Sequence, residues 1–297
     1  MKADRSSVAG SRYLDLQRKA RTTGRPTDEL IQLYALECFL DRLTRSAFAK
    51  NFVLKGGVLL AALNARRPTR DIDFAASAIK ATETEVLAAV RTIARVSLED
   101  GLEFDADQAT AEIIREEDDY NGVRITLSGT LSRAEIHLHV DVNVGDPIWP
   151  EPQEVSLPRL LDGVLLVRGY PLEMVLAEKL VTAITRGTAS TRWRDFVDLY
   201  SLAGRHSVNS VSLRSSLERV AQYRRVTLAP MSSVLAGYPE IAQSRWSAWL
   251  RKQRLETSVP IEFSSVLEHV ASFADPIISR PVSGLGTWDP TLHRWQE

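Results

Sequence analysis

Apolar positions along this chain recur first at helical spacing, then at strand spacing, then at helical spacing again. From Thr27 to Arg45, Leu33, Leu36, Leu40 and Leu43 share one helical face behind the start signal Pro26-Thr27, which predicts an amphipathic helix packed behind a sheet. A short apolar run, Phe52-Val53-Leu54, ends in Lys55 and the pair Gly56-Gly57. An apolar helical stretch then leads through a basic turn to Asp71-Ile72-Asp73. Glu85 to Val96 reads as a second helix, and Ile113-Ile114, Val123 to Leu131 and Glu135 to Val144 read as strands. The last alternates, with Ile136, Leu138, Val140 and Val142 on one face and His137, His139, Asp141 and Asn143 on the other. After a loop from Gly145 to Pro158, rich in proline and acidic residues, helical periodicity returns. It marks Pro171 to Arg186, Arg192 to Ala203, Ser212 to Tyr223, Glu240 to Leu255 and Phe263 to Phe273. The pattern predicts an α/β domain with N-terminal helices over residues 1–165 and a helical C-terminal domain over 166–297.

The candidate chemistry lies between Phe52 and Phe74. Alternate residues of a strand share a face, so Asp71 and Asp73 project together while Ile72 points into a core. Like charges that close repel unless a cation sits between them. Hard carboxylate oxygens select Mg²⁺, or the similar Mn²⁺, which keeps open positions for phosphate oxygens. The natural guest is a nucleoside triphosphate. Gly56 and Gly57 stand at a strand-to-helix junction, where the missing Cβ atoms let a triphosphate approach backbone N–H groups. Without the two aspartates the pair would read as a tight turn, because neither GxxxxGK[ST] nor GxGxxG is present. Lys55 stands beside the pair as a further candidate. Arg66, Arg67 and Arg70, on the loop entering the acidic strand, would meet phosphates or be solvated. Thr69 lies two residues before Asp71, and would bond the triphosphate or start the strand. Phosphorylation there would set a dianion against the metal site.

A Gly-Gly pair opening a helix, followed at this distance by Asp-x-Asp, resembles the signature of the DNA polymerase β-like nucleotidyltransferases. The fuller string LKGG…PTRDIDF, with AEKL…R…RWRDFVDLY much later, resembles the AbiEii/AbiGii branch, toxins of type IV toxin–antitoxin and phage-abortive systems. The resemblance runs from about Asn51 to Ala203, and two separated motifs in the expected order make it specific. One departure is Gly57, where many relatives carry Ser, so backbone N–H would replace a hydroxyl contact to the triphosphate. The resemblance implies a polymerase β-like nucleotidyltransferase domain with a helical C-terminal domain. It places Lys179 at the triphosphate or transition state, and Asp198 as an active-site acid or its anchor. In this superfamily a neighbouring strand presents a third carboxylate, for which Asp141 on HVDVNVG is the candidate; the alternative is a solvated carboxylate on the open face of a sheet. His137 and His139 share that face and are expected to face solvent. Arg186 shares a helical face with Lys179. Asp195, adjacent to Asp198 on the next helix, would instead pair with Arg192 or Arg194.

Composition adds bounds. With 297 residues, 44% hydrophobic and 25% charged, the chain is globular and long enough for two linked domains. Cys38 is the only cysteine, which excludes an intramolecular disulfide and fits a reducing cytoplasm. The N-terminus lacks the apolar core of a secretory signal and no stretch suits a membrane span, so the expectation is a cytoplasmic protein without a membrane partner. Net charge is −1, yet residues from Arg168 onward carry +4 and the preceding part −5. A polyanion would therefore lie on the C-terminal part, where Arg224 and Arg225 follow Tyr223. Trp246 and Trp249, near Arg245, Arg251 and Arg254, are expected in the core rather than stacked on RNA bases.

The expected activity is transfer of a nucleoside monophosphate from an NTP to RNA, with the tRNA 3′ end as leading acceptor, in a toxin restrained by an antitoxin protein. The alternatives are the same chemistry on a small molecule such as an antibiotic or on a protein hydroxyl, and a non-catalytic NTP-binding partner protein. A haloacid dehalogenase-like phosphatase is a third and weaker alternative, because basic residues, not an apolar strand, lead into Asp71.

Overall fold

Two units divide the chain in the computed structural model: Met1–Asp146 with Pro152–Tyr170, and Pro147–Glu151 with Pro171–Glu297. The structure describes residues 4–66, 69–80, 82–116, 120–145, 147–279 and 284–296. Arg67, expected on the basic loop, lies outside the described residues.

In the first unit, α1 (Val8–Thr23) and α2 (Thr27–Thr44) precede β1 (Phe52–Lys55), α3 (Gly56–Leu59), β2 (Asp71–Ala76) and α4 (Glu83–Ala94). Then come β3 (Leu102–Glu116), β4 (Tyr120–Leu131), β5 (Ala134–Val144), β6 (Gln153–Pro158) and β7 (Val164–Gly169). The strands form one mixed sheet in the order β3-β4-β5-β2-β1-β7-β6. β2 runs antiparallel to β1 and parallel to β5, so the acidic strand is central and both neighbours contribute to its polar face. Ile72 and Phe74 of β2 and Ile136, Leu138, Val140 and Val142 of β5 are buried, as the alternation predicts. α2 packs against β5 and β7, and α4 against β3.

Four features depart from the sequence expectation. First, α2 is not simply amphipathic, since Glu37, Asp41 and Arg42 are buried among its leucines. Each is partnered: Glu37 accepts from Leu160 N–H and Arg66, Asp41 from Arg45 and Arg159, and Arg42 pairs with Asp100. Burial pushes the Glu37 carboxyl up from its ordinary pKa, against the opposing pull of those donors. Second, the stretch after Gly56-Gly57 is α-helical for one turn only. It continues through i→i−3 bonds from Ala61, Ala62 and Leu63 and ends at Asn64, whose φ is 54°. Third, β3 begins at Leu102, well before Ile113; its pairing with β4 shifts register between Asp105 and Thr110, which blurs the alternation. Fourth, part of the proline-rich loop is strand β6, which forms a hairpin with β7 at the sheet edge, where the exposed Val164 and Leu166 hide the pattern.

In the second unit α5 (Leu172–Arg186), α6 (Trp193–Ala203), β8 (Val208–Asn209), α7 (Ser210–Tyr223), α8 (Met231–Val234), α9 (Tyr238–Gln253) and α10 (Phe263–Ser279) are followed by β9 (Thr287–Asp289) and β10 (Arg294–Trp295). An aromatic core joins Trp193, Phe196, Tyr238, Trp246 and Phe263. Trp246 is fully buried and Trp249 stacks on it at 5.8 Å, so both serve packing. The small sheet β10-β9-β8 was not expected; its strands are too short to show a period. Among the described residues no helix is long and apolar enough to cross a membrane.

Candidate active site

Strand register assembles the site across the sheet. Asp73 stands opposite Lys55 on β1 and beside Asp141 on β5; Asp141 stands opposite Arg124 on β4, and Arg124 opposite Glu112 on β3. Register partners share a face, so Lys55, Asp73, Asp141, Arg124 and Glu112 form one charged row across five strands. One step along, Asp71 stands beside His139, whose Nδ1 is 3.2 Å from Thr126 Oγ1; likewise His137 Nδ1 is 3.0 Å from Ser128 Oγ. The histidines are thus engaged by hydroxyls on β4 rather than by other metal-type ligands.

Lys55 is buried and its Nζ lies 5.7 Å from the centroid of the Tyr170 ring. A buried ammonium opposite Asp73 offsets part of the charge that two neighbouring carboxylates accumulate. Asp141 is also buried, and Arg124 donates to both its oxygens, Nε at 2.8 Å and Nη2 at 2.7 Å. Chiefly through this bond, and with Asp71 and Glu112 nearby, the guanidinium's pKa is raised above its ordinary value. Asp71, Asp73 and Asp141 supply the hard oxygen donors that suit Mg²⁺, so the chemistry of the set fits a divalent ion. As the side chains stand, no group of three His, Cys, Asp or Glu among the described residues is poised to hold one.

Gly56 also makes room for the acidic strand. Its φ is +66°, and a Cβ built there would lie 1.9 Å from Asp73 Oδ2 and 2.5 Å from Asp73 Cγ. The space left by the absent side chain is therefore filled by the Asp73 carboxylate, which the glycine lets sit against the backbone. Gly57 is buried in the single turn of α3. Gly56→Ala is expected to displace Asp73 and to lower transfer about a hundredfold, as misplacement of a reacting group by roughly 1 Å does. Turnover assays beside thermal melting check this, and a folded variant with near-normal turnover would refute it.

In the second unit Lys179 of α5 donates to Asp195 Oδ1 and Asp198 Oδ2, both at 2.7 Å, and Arg192 Nε pairs with Asp195 Oδ2 at 3.0 Å. The i, i+3 spacing on α6 turns both carboxylates toward one ammonium. Lys179 and Asp198 are thus brought together, and the expected Arg192–Asp195 pairing is present. Arg186 closes α5, half-buried.

Other candidates fall outside these two clusters. Thr69 Oγ1 donates to Asp71 main-chain O at 3.3 Å, at the entrance to β2, and Arg70 is exposed. Arg66 is engaged by the protein itself: it bonds Glu37 Oε1 at 2.8 Å and the Pro158 carbonyl. Arg224 donates to Thr182 Oγ1 at 2.8 Å, while Arg225 is exposed with φ 54°. Sequence reasoning missed Arg124, because pairing across strands is not legible without register; its polar place between Val123 and Ile125 was the only signal.

Asp71 and Asp73 thus share one face of a central strand in an α/β unit. Residues 38–269 match the family described as nucleotidyl transferase AbiEii toxin of type IV TA systems, and the chain belongs to that family. Among solved structures it is similar to a candidate nucleotidyltransferase from H. pylori, at 15% identity over 84% of this chain and 94% of that one, TM-score 0.46. JHP933 from Helicobacter pylori is similar at 15% identity over 82% and 88%, TM-score 0.43. CdnC of E. coli MS115-1, with ATP, follows at 13% identity over 89% and 91%, TM-score 0.25. No curated protein matches.

Proposed function

We propose that this nucleotidyltransferase transfers a nucleoside monophosphate from an NTP to an RNA end, with the tRNA 3′ end as leading acceptor, and thereby blocks translation and growth. The observation that carries the reading is the placement of Asp71 and Asp73 on β2 with Asp141 in register on β5, in a chain of the AbiEii toxin family. Asp71 and Asp73 would hold Mg²⁺ or Mn²⁺, whose charge would offset that developing on the triphosphate. Asp141 supplies the third carboxylate, toward the acceptor hydroxyl. The acceptor oxygen attacks the α-phosphorus in line and pyrophosphate leaves. Lys179, oriented by Asp195 and Asp198, contributes a compact positive charge to the phosphates, and Gly57 and Thr69 line their approach. Arg225, exposed beside Arg224, meets the RNA backbone. A cognate antitoxin holds the toxin in check in the cytoplasm.

Incubating purified protein with total tRNA, Mg²⁺ and each labelled NTP is expected to label RNA and release pyrophosphate. Induced alone, the protein is expected to stop growth, and Asp71→Ala to relieve the arrest. Unchanged growth and unmodified tRNA with soluble wild-type protein would overturn the RNA reading. Labelling of an aminoglycoside or a protein hydroxyl instead would reassign the acceptor.

A further inference from the structure

Asp141 is the acid that the proposed reaction asks to help hold a cation, yet both its oxygens are already bonded to a cation of the protein. The Arg124 contacts, at 2.8 and 2.7 Å, have the side-by-side fork geometry of the strongest charge-assisted pairs. The pair is set by backbone register rather than by chance side-chain reach, since β4 and β5 place the two residues directly opposite. Both ends are shielded, with side-chain exposures of 31% for Arg124 and 11% for Asp141. Along the row the flanking residues are acidic: Asp73 beside Asp141, and Glu112 opposite Arg124. A guanidinium in this row does what a divalent ion would do there, which is to let adjacent carboxylates stay ionised side by side.

We infer that Arg124 is a positioning residue that competes with the divalent cation for Asp141, and so sets how tightly the carboxylate row binds the ion. The inference rests on the proposed metal-dependent reaction. Its physical core is separate: one carboxylate cannot give both oxygens to a planar fork and also coordinate an ion at full strength. Ion binding at Asp141 draws on the same carboxylate charge that the Arg124 fork uses and so weakens that pair, and the cost lowers the apparent affinity.

The test is titration of Mn²⁺ into the full-length protein, followed by the loss of free Mn²⁺ electron paramagnetic resonance signal, with no nucleotide present. Arg124→Met keeps much of the side chain's apolar length while removing the competing charge. It is expected to tighten Mn²⁺ binding roughly tenfold, the equivalent of about 1.4 kcal/mol. Arg124→Lys, which offers a point charge in place of the fork, should lie between it and the wild type. Removing any nearby positive charge favours a cation, so the decisive measurement repeats the comparison in Asp141→Asn. There the Arg124→Met effect should disappear, because the contested carboxylate is gone.

Equal tightening in both backgrounds would reduce Arg124 to a general electrostatic influence and overturn the inference. So would unchanged or weaker binding in Arg124→Met that melts like the wild type; if that variant does not fold, Arg124→Lys carries the comparison. If the wild type binds Mn²⁺ and Asp71→Asn abolishes it, the metal reading stands whatever Arg124 does. If neither the wild type nor the Arg124 variants bind Mn²⁺, both fall.

Discussion

Asp71→Asn and Asp73→Asn are each expected to lower nucleotidyl transfer by at least about a thousandfold, the upper range for losing one preorganised charge contact. The two should differ in stability. Asp71 is half-buried beside His139, and neutralising it relieves repulsion from Asp73, so its melting temperature should match or exceed that of the wild type. Asp73 stands opposite the buried Lys55, and Asp73→Asn removes a favourable charge from that ammonium. It should melt below Asp71→Asn. Turnover and calorimetry on the pair give both readouts, and near-normal turnover by either variant would remove the metal site from this face of the sheet.

The second large effect is at Lys179. Side-chain exposures of 12% for Lys179, 14% for Asp195 and 4% for Asp198 mean that Lys179→Ala takes a shared cation from two shielded carboxylates, of which Asp195 keeps Arg192. Breaking such a buried set costs about 3 to 5 kcal/mol of stability. Loss of activity in this variant alone would therefore be ambiguous. Lys179→Met combined with Asp198→Asn keeps the charge balance, leaving Asp195 paired with Arg192, and should recover much of the stability while transfer stays depressed by about 2 to 4 kcal/mol. Recovery of transfer along with stability would make the cluster purely structural. Lys179→Arg should rescue in part only, since a planar fork does not fit where a compact ammonium meets two carboxylates.

Most of the fold was legible because its helices are long and its central strands alternate. α2, α5, α6 and α9 begin within about two residues of where apolar periodicity and caps place them, the usual precision of such boundaries. Asp71, Ile72 and Asp73 could be assigned to faces from alternation alone. What stayed hidden depends on long-range pairing. Arg124 and Asp141 are separated by 17 positions, and nothing local marks them as partners. The Cβ space of Gly56 taken by Asp73 is likewise a contact between separate elements, the start of α3 and strand β2. The burial of Glu37 and Arg42 on α2 also depends on distant partners, Leu160 N–H and Asp100. Composition around β6 pointed to a loop because prolines outweighed the alternation of Val155 and Leu157.

The short segment Pro147–Glu151 belongs with the C-terminal unit although it lies within the sequence of the other. Trp149 is its anchor: its carbonyl accepts from Ser216 Oγ at 2.6 Å, and its ring lies under the Arg219 guanidinium at 4.5 Å. The C-terminal unit is consequently not a cassette that recombination could lift out at one junction, or that a protease could release with one cut. A fragment starting at Pro171 would carry an α7 with its tryptophan peg missing. Inheritance of the two units is tied together by five residues, so divergence in either has to proceed with the other in place.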